Sequence, residues 1–187
     1  MKRLFIFSLL LLVVGCTLPQ EIKTPVQEAI ETTEEASEMK LTSSAFSEGG
    51  KIPAKYTCDG TNLNPPLAFS DVPAKAKGLV LIMDDPDAVK PAGKVWDHWV
   101  VFNIPPTTTE ISEGKNPSGV LGRNTRGNNT YGGPCPPDRE HRYFFKLYAL
   151  DTELKLPEGS SKAEVENAME GHILAEVKLM GRYERKN

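Results

Sequence analysis

A mostly β domain carrying one or two helices is predicted by three features of this chain. After residue 40, short apolar runs rich in β-branched and aromatic residues recur, and Pro and Gly punctuate them about every ten residues. Apolar residues at helical spacing are confined to one capped stretch near residue 165. No tandem repeat is present. At 187 residues the length suits one domain with a sizeable core plus appendages.

The appendages come first. Lys2-Arg3 is a basic start, Leu4 to Val14 an apolar run broken only by Ser8, and Val13-Val14-Gly15-Cys16 sets small residues before a cysteine. This reads as an export signal over residues 1–15, too short for the roughly 20 residues of a spanning helix. The Gly15-Cys16 junction resembles a lipobox, which implies cleavage before Cys16 and lipid on its sulfur; an ordinary cleaved signal is the alternative. The expected location is extracytoplasmic and membrane-anchored, on a periplasmic or cell-surface face. Residues 16–40 carry Glu21, Glu28, Glu31, Glu34, Glu35 and Glu38, scattered Thr and no aromatic residue, the composition of a disordered tether.

Loss of residues 1–15 leaves 20 basic against 25 acidic side chains, a balance that gives no general attraction for nucleic acid. Setting Cys16 aside leaves Cys58 and Cys135. In an oxidising compartment this even pair is predicted to form a disulfide, two buried free thiols being the alternative.

The domain spans residues 41–187. Leu41 to Phe46, the segment around Tyr56 and Leu67 to Phe69 read as short strands, with turns at Asp59-Gly60, Asn64-Pro65-Pro66 and Asp71-Val72-Pro73. Gly78 to Met83 and His98 to Ile104 are central strands, and 111–133 reads as one long loop, of the kind that serves a function, or as several short turns. Tyr143 to Leu150 reads as a strand buried on both faces, with Lys146 its sole charge. Ser161 and Glu164 offer a capping box, Val165, Ala168, Met169 and His172 recur at helical spacing, and Gly171 can end that helix. Ile173 to Tyr183 is the closing strand, with Glu176 and Lys178 on its wetter face.

Two polar segments stand out. Asp84, Asp85, Asp87 and His98 are expected to gather at one edge of the sheet. Residues 131–143, Tyr-Gly-Gly-Pro-Cys-Pro-Pro-Asp-Arg-Glu-His-Arg-Tyr, pair flexible glycines with stiff prolines. The Gly132 and Gly133 amides, the His141 imidazole and the Tyr143 hydroxyl are all candidate donors to an anionic oxygen. Alternation puts His141 and Tyr143 on one face and sends Trp96 and Trp99 to opposite faces.

The Asp85-Pro86-Asp87-Ala88 motif, Trp96-Asp97-His98, the Gly-Pro-Cys-Pro-Pro run and His141-Arg142-Tyr143 together resemble the phosphatidylethanolamine-binding protein family, in its prokaryotic, Raf kinase inhibitor-like branch. The similarity extends to Tyr56-Thr57-Cys58-Asp59-Gly60 and Gly171-His172-Ile173-Leu174 and covers about residues 41–187. It implies a β-sandwich-like fold with a small pocket for phosphate or a phospholipid headgroup, and relatives that inhibit kinases or serine proteases. By motif, Asp85, His98, Pro136, Pro137, His141 and Tyr143 line that pocket, with Trp96 and Gly133 beside them. Val89 replaces a common family proline, and the spacer Asp138-Arg139-Glu140 is shorter than in animal members.

A carboxylate in an anion pocket repels its ligand by about 1 kcal/mol at 4 Å even in bulk water. Asp85 is therefore expected to hydrogen-bond His98 and favour its cationic form, or to receive the ammonium of an ethanolamine headgroup. Asp84 and Asp87 are expected to cap turns around Pro86, Arg142 to pair with a surface carboxylate, and His172 to be a helix-end or packed residue. No Gly-x-Ser-x-Gly elbow, His-Glu-x-x-His helix or glycine-rich phosphate loop is present, so no catalytic residue, metal or cofactor is assigned. The resulting expectation is a lipid-anchored binding module for a small anion. An inhibitor of an extracytoplasmic serine protease is the rival, and a phosphoester or peptide hydrolase the third reading.

Overall fold

Eight strands and two helices follow in the order β1 (Lys40–Thr42), β2 (Leu67–Ser70), β3 (Gly78–Asp85), α1 (Val89–Ala92), β4 (Trp96–Ile104), β5 (Glu110–Ile111), β6 (Val120–Leu121), β7 (His141–Leu150), α2 (Lys162–Met169) and β8 (Ile173–Tyr183) in a computed structural model that describes residues 38–186. The expected signal, the lipidation at Cys16 and all of the tether before Glu38 lie outside the described residues. Met39 is already buried in the core and Lys40 opens β1 opposite Ser70, so packing begins slightly before residue 41.

Two antiparallel sheets form, β1-β2-β5 and β6-β4-β3-β7-β8. β3 lies in the middle of the larger sheet and every one of its residues is buried, which accounts for its unbroken apolar run. Leu79, Leu81 and Met83 face Trp99, Val101, Phe145 and Leu147 and pack against Leu41, Leu67, Phe69 and Ile111 of the smaller sheet. Val80 and Ile82 point the other way, with Val100, Phe102 and Tyr148, onto Val165 and Met169 of α2. The larger sheet is thus covered by a sheet on one face and by a helix on the other.

The capping box starts α2 as expected: the Ser161 hydroxyl accepts from the Glu164 amide, and Glu164 accepts from the Ser161 amide. Gly171, at φ +79°, turns the chain after it. Tyr56 differs from expectation. It sits in a 3-10 turn over Ala54–Tyr56 following Pro53, its ring is buried, and its hydroxyl donates to Glu113. Proline restricts φ to the turn value and withholds a ladder amide, which outweighs the aromatic strand preference. Within 111–133, β6, the end of β5 and an isolated bridge from Arg123 to Ser161 pair with neighbours.

Cys58 and Cys135 form the expected disulfide, across 77 positions of sequence. Together with the Cys58 amide donating to the Pro134 carbonyl, it fixes the proline-rich segment before β7 to the 54–60 turn.

Candidate functional site

Where β3 ends, Asp85 turns its side chain back on the chain. Its Oδ1 accepts from the amides of Asp87 at 2.9 Å and Ala88 at 3.2 Å, capping the 3-10 turn Pro86–Ala88, in which Pro86 takes the first position because no amide is needed there. Its Oδ2 accepts from Nδ1 of His141 at 2.7 Å. Asp85 therefore partners His141, not His98 as the sequence suggested. It is the cap of the turn, whereas Asp87 faces Arg142.

His98 owes its position to an extra residue. Met83 pairs with Trp99 and Asp84 with Asp97, so two steps along β4 match one along β3. Such a bulge turns His98 and Trp99 to the same face as Met83. It also brings Trp96, opposite Asp85, to that face, which corrects the expectation that the two tryptophans diverge. Trp99 is core, packed edge-on against Tyr131, and Trp96 is half-buried at the cavity.

Gly132 clamps His98 at both ends. Its amide donates to the His98 carbonyl at 2.9 Å, and its carbonyl accepts from the ring Nδ1 at 2.5 Å. A carbonyl only accepts, so Nδ1 carries the proton and Nε2 is the basic nitrogen. Burial pushes the imidazole below its ordinary pKa and the nearby Arg126 charge acts the same way, against the Gly132 hydrogen bond and the Asp85 charge. The Gly133 amide donates to Asn62 Oδ1 at 2.8 Å. Neither glycine amide is left for an anion, contrary to expectation. Gly133 serves close packing instead: a Cβ there would collide with the Tyr56 carbonyl and Asn62 Oδ1.

His141 is wholly buried, with a carboxylate on each ring nitrogen, Asp85 on Nδ1 and Asp138 on Nε2 at 2.9 Å. Both contacts are hydrogen bonds only when both nitrogens carry protons. Burial works against Asp138, but the hydrogen bond from His141 and the Arg139 charge bring its carboxyl below the usual range. Tyr143 fills the space between the two imidazoles, edge-on to His98 at 5.2 Å and stacked on His141 at 6.5 Å between centroids. Its hydroxyl lies near Asp85 and the Cys135 backbone but completes a hydrogen bond with neither. Burial and the Asp85 charge raise its pKa strongly.

A cavity of about 190 Å³ opens over this group. Of the expected residues, Asp85, Trp96, His98, Pro136, Pro137 and His141 line it, while Tyr143 stands behind the wall and Gly133 lines a neighbouring depression. Ala88, Pro91, Ala92, Arg126 and Cys135 complete the lining. The volume is below the ~300–1,000 Å³ of drug-sized sites, and the walls are largely apolar. Arg126, missed in the sequence, is exposed and has no carboxylate partner among the described residues. Only its basic character in a polar loop beside the site distinguished it.

The remaining charges lie elsewhere. Asp87 takes a bidentate pair from Arg142, with two contacts of 2.9 Å, and the Arg142 hydrogen bond lowers its pKa to about 2 against the effect of burial. Asp84 points to the helix-covered face, where its Oδ2 accepts from Lys146 and Lys162, each at 2.7 Å. The four polar residues thus share one end of the sheet but divide between its faces. His172 pairs with Asp151 just after α2. Among the described residues no group of three or more His, Cys, Asp or Glu could hold a metal ion.

The family profile for phosphatidylethanolamine-binding proteins matches residues 42–184. The chain is 54% identical over 153 residues to a UPF0098 protein of Methanothermobacter thermautotrophicus, covering 79% of this chain and 99% of that one. A phosphatidylethanolamine-binding protein homologue of Chlamydia trachomatis, solved by crystallography, superposes with a TM-score of 0.76 at 49% identity, over 80% of this chain and 99% of that one. Escherichia coli YbcL, described as a member of the mammalian family, gives a TM-score of 0.74 at 34% identity, over 80% of this chain and all of that one.

Proposed function

This chain belongs to the phosphatidylethanolamine-binding protein family, in its prokaryotic branch, and on that premise we propose that its cavity receives one small anionic group of the phosphate type. One observation carries the reading. Arg126, a guanidinium without a carboxylate partner, and His98, whose Nε2 has no hydrogen-bond partner among the described residues, line the same small cavity. Guanidinium suits phosphate because its planar fork donates to two oxygens at once. His98 gains a proton as an anion arrives, since the incoming charge offsets the desolvation that keeps the ring neutral. The apolar walls strengthen both contacts by excluding water.

A cavity of about 190 Å³ takes a headgroup and leaves any acyl chains outside. Calorimetry with inorganic phosphate and phosphoethanolamine tests the reading on wild type, Arg126→Ala and His98→Ala. We expect binding by wild type that weakens about tenfold or more in each variant, the loss of one charged hydrogen bond. Absence of heat with wild type for both compounds would overturn it.

Export and lipid anchoring through Cys16 belong to the same proposal. Support comes from the leader's pattern and from the Cys58–Cys135 disulfide, which suits an oxidising compartment. Radiolabelled palmitate should be incorporated by wild type and not by Cys16→Ala; labelling of neither form rejects the anchor.

A further inference from the structure

Resting on the anion-site reading above, we propose that the Asp138 carboxylate is an internal competitor for that site: it holds the His141 Nε2 donor that an entering anionic oxygen would otherwise take, and it swings outward when that oxygen binds. The contact is lopsided. His141 has no exposed side-chain surface, whereas the Asp138 side chain is 39% exposed. On the other ring nitrogen, Asp85 is only 4% exposed and is further held by two backbone amides. A carboxylate that already touches water can leave a hydrogen bond at small cost, because water replaces it; a buried, capped one cannot. Of the two acceptors on His141, only Asp138 is exchangeable.

The other donors around the cavity make this one valuable. His98 Nδ1 is committed to Gly132, and the amides of Gly132 and Gly133 are committed to His98 and Asn62. Besides Arg126, a protonated His98 Nε2 and the Trp96 indole N–H, a further nitrogen donor on a cavity-lining ring is His141 Nε2, and a carboxylate already occupies it. Asp138 also has somewhere to go. The Arg139 guanidinium lies 4.0 Å from its Oδ2 and can keep it paired at the rim after it releases His141. Pro136 and Pro137, which line both the cavity and the depression that Asp138 borders, stiffen the segment leading to it, so the motion is a side-chain rotation and not a loop opening.

Titration of the full chain with inorganic phosphate tests this, using Asp138→Ala, Asp138→Asn and Glu184→Gln. Glu184 borders the same shallow depression as Asp138 and does not touch His141, so Glu184→Gln removes an equal charge without freeing the donor. We expect about tenfold tighter binding by Asp138→Ala, a smaller gain by Asp138→Asn, whose amide oxygen can still accept from Nε2, and no gain by Glu184→Gln. In wild type the ¹⁵N resonance of His141 Nε2 should move on phosphate addition while that of Nδ1 stays. Equal gains in all three variants would reduce the effect to net charge and overturn the proposal, as would wild-type binding with no gain in Asp138→Ala. Failure of wild type and every variant to bind phosphate would instead overturn the anion-site reading, and this inference with it.

Discussion

Nδ1 of His141 donates to Oδ2 of Asp85 at 2.7 Å, and the other oxygen of that carboxylate caps the turn that follows β3. One side chain thus ties the ends of two neighbouring strands to the local shape of the loop between β3 and β4. In Asp85→Asn the amide oxygen can keep the cap or face His141, but a single oxygen cannot serve both. The variant should lose about 1–3 kcal/mol in urea unfolding, the cost of a buried polar group left without its partner. His98, which feels Asp85 only through its field, should titrate at a somewhat lower pH in the variant. A rise in that titration would contradict the assignment.

His98 sets a pH dependence with a definite sign. Its folded pKa lies below the ordinary value of 6.5 because burial disfavours the cation. Between 6.5 and the lower folded value, the unfolded chain binds a proton that the native chain does not. The His98 contribution to stability is therefore fully present above that window and is lost as pH falls through it. Unfolding midpoints from pH 7.5 downward, compared between wild type and His98→Gln, should show wild type losing stability faster below 6.5. Parallel profiles would mean that the ring is not held neutral.

Phosphate reverses part of this. If the anion brings a proton onto Nε2, calorimetry at pH 7.5 in buffers of different ionisation enthalpy should show net proton uptake, and His98→Gln should show less. Equal uptake by both proteins would remove His98 from the binding step.

Much of the larger sheet was legible in the sequence because its strands have unambiguous signals. β3 and β7 are continuous apolar runs, and β8 ends the chain with alternation. The capping box around Ser161 is a local code and read correctly. What failed was alternation across an irregularity. One extra residue between Asp97 and Trp99 reversed the expected faces of the tryptophans and turned His98 to the cavity face. No composition rule marks that bulge, because it is fixed by pairing with β3.

Partner choice was also hidden. Sequence proximity favoured Asp85 with His98, but the imidazole that reaches Asp85 comes from β7, 56 positions away. The glycines at 132 and 133 were legible as special positions and not as what they do. Their backbones approach His98 and the 56–62 segment, and the hydrogen bonds made there consume the amides that sequence reasoning offered to an anion. The proline between Ile52 and Ala54 was the local sign that Tyr56 belongs to a turn.

Tyr143→Phe gives a prediction of unusual sign. The hydroxyl is buried and has no completed hydrogen bond, so the fold carries its desolvation without return. Removing the oxygen should leave stability unchanged or raise it by about 1 kcal/mol in urea unfolding. A loss of more than about 1 kcal/mol would show that the hydroxyl has a partner.

Asp84 tests whether the two faces at this end of the sheet act independently. Its carboxylate is 2% exposed and holds two lysines, Lys146 from β7 and Lys162 from the first turn of α2. Lys162 also lies 3.5 Å from Asp97, a carboxyl whose pKa is raised mainly by burial. Asp84→Ala removes the central charge and leaves two partly buried ammonium groups close together. Breaking a buried pair in this way costs about 3 kcal/mol, more than deleting an exposed pair would. The urea midpoint should fall by that amount at constant slope. Phosphate affinity should change by less than about twofold, since Asp84 faces α2 and the cavity is on the opposite side of β3. A fall in stability below 1 kcal/mol would place the lysines in solution, and a large change in affinity would couple the helix-covered face to the cavity.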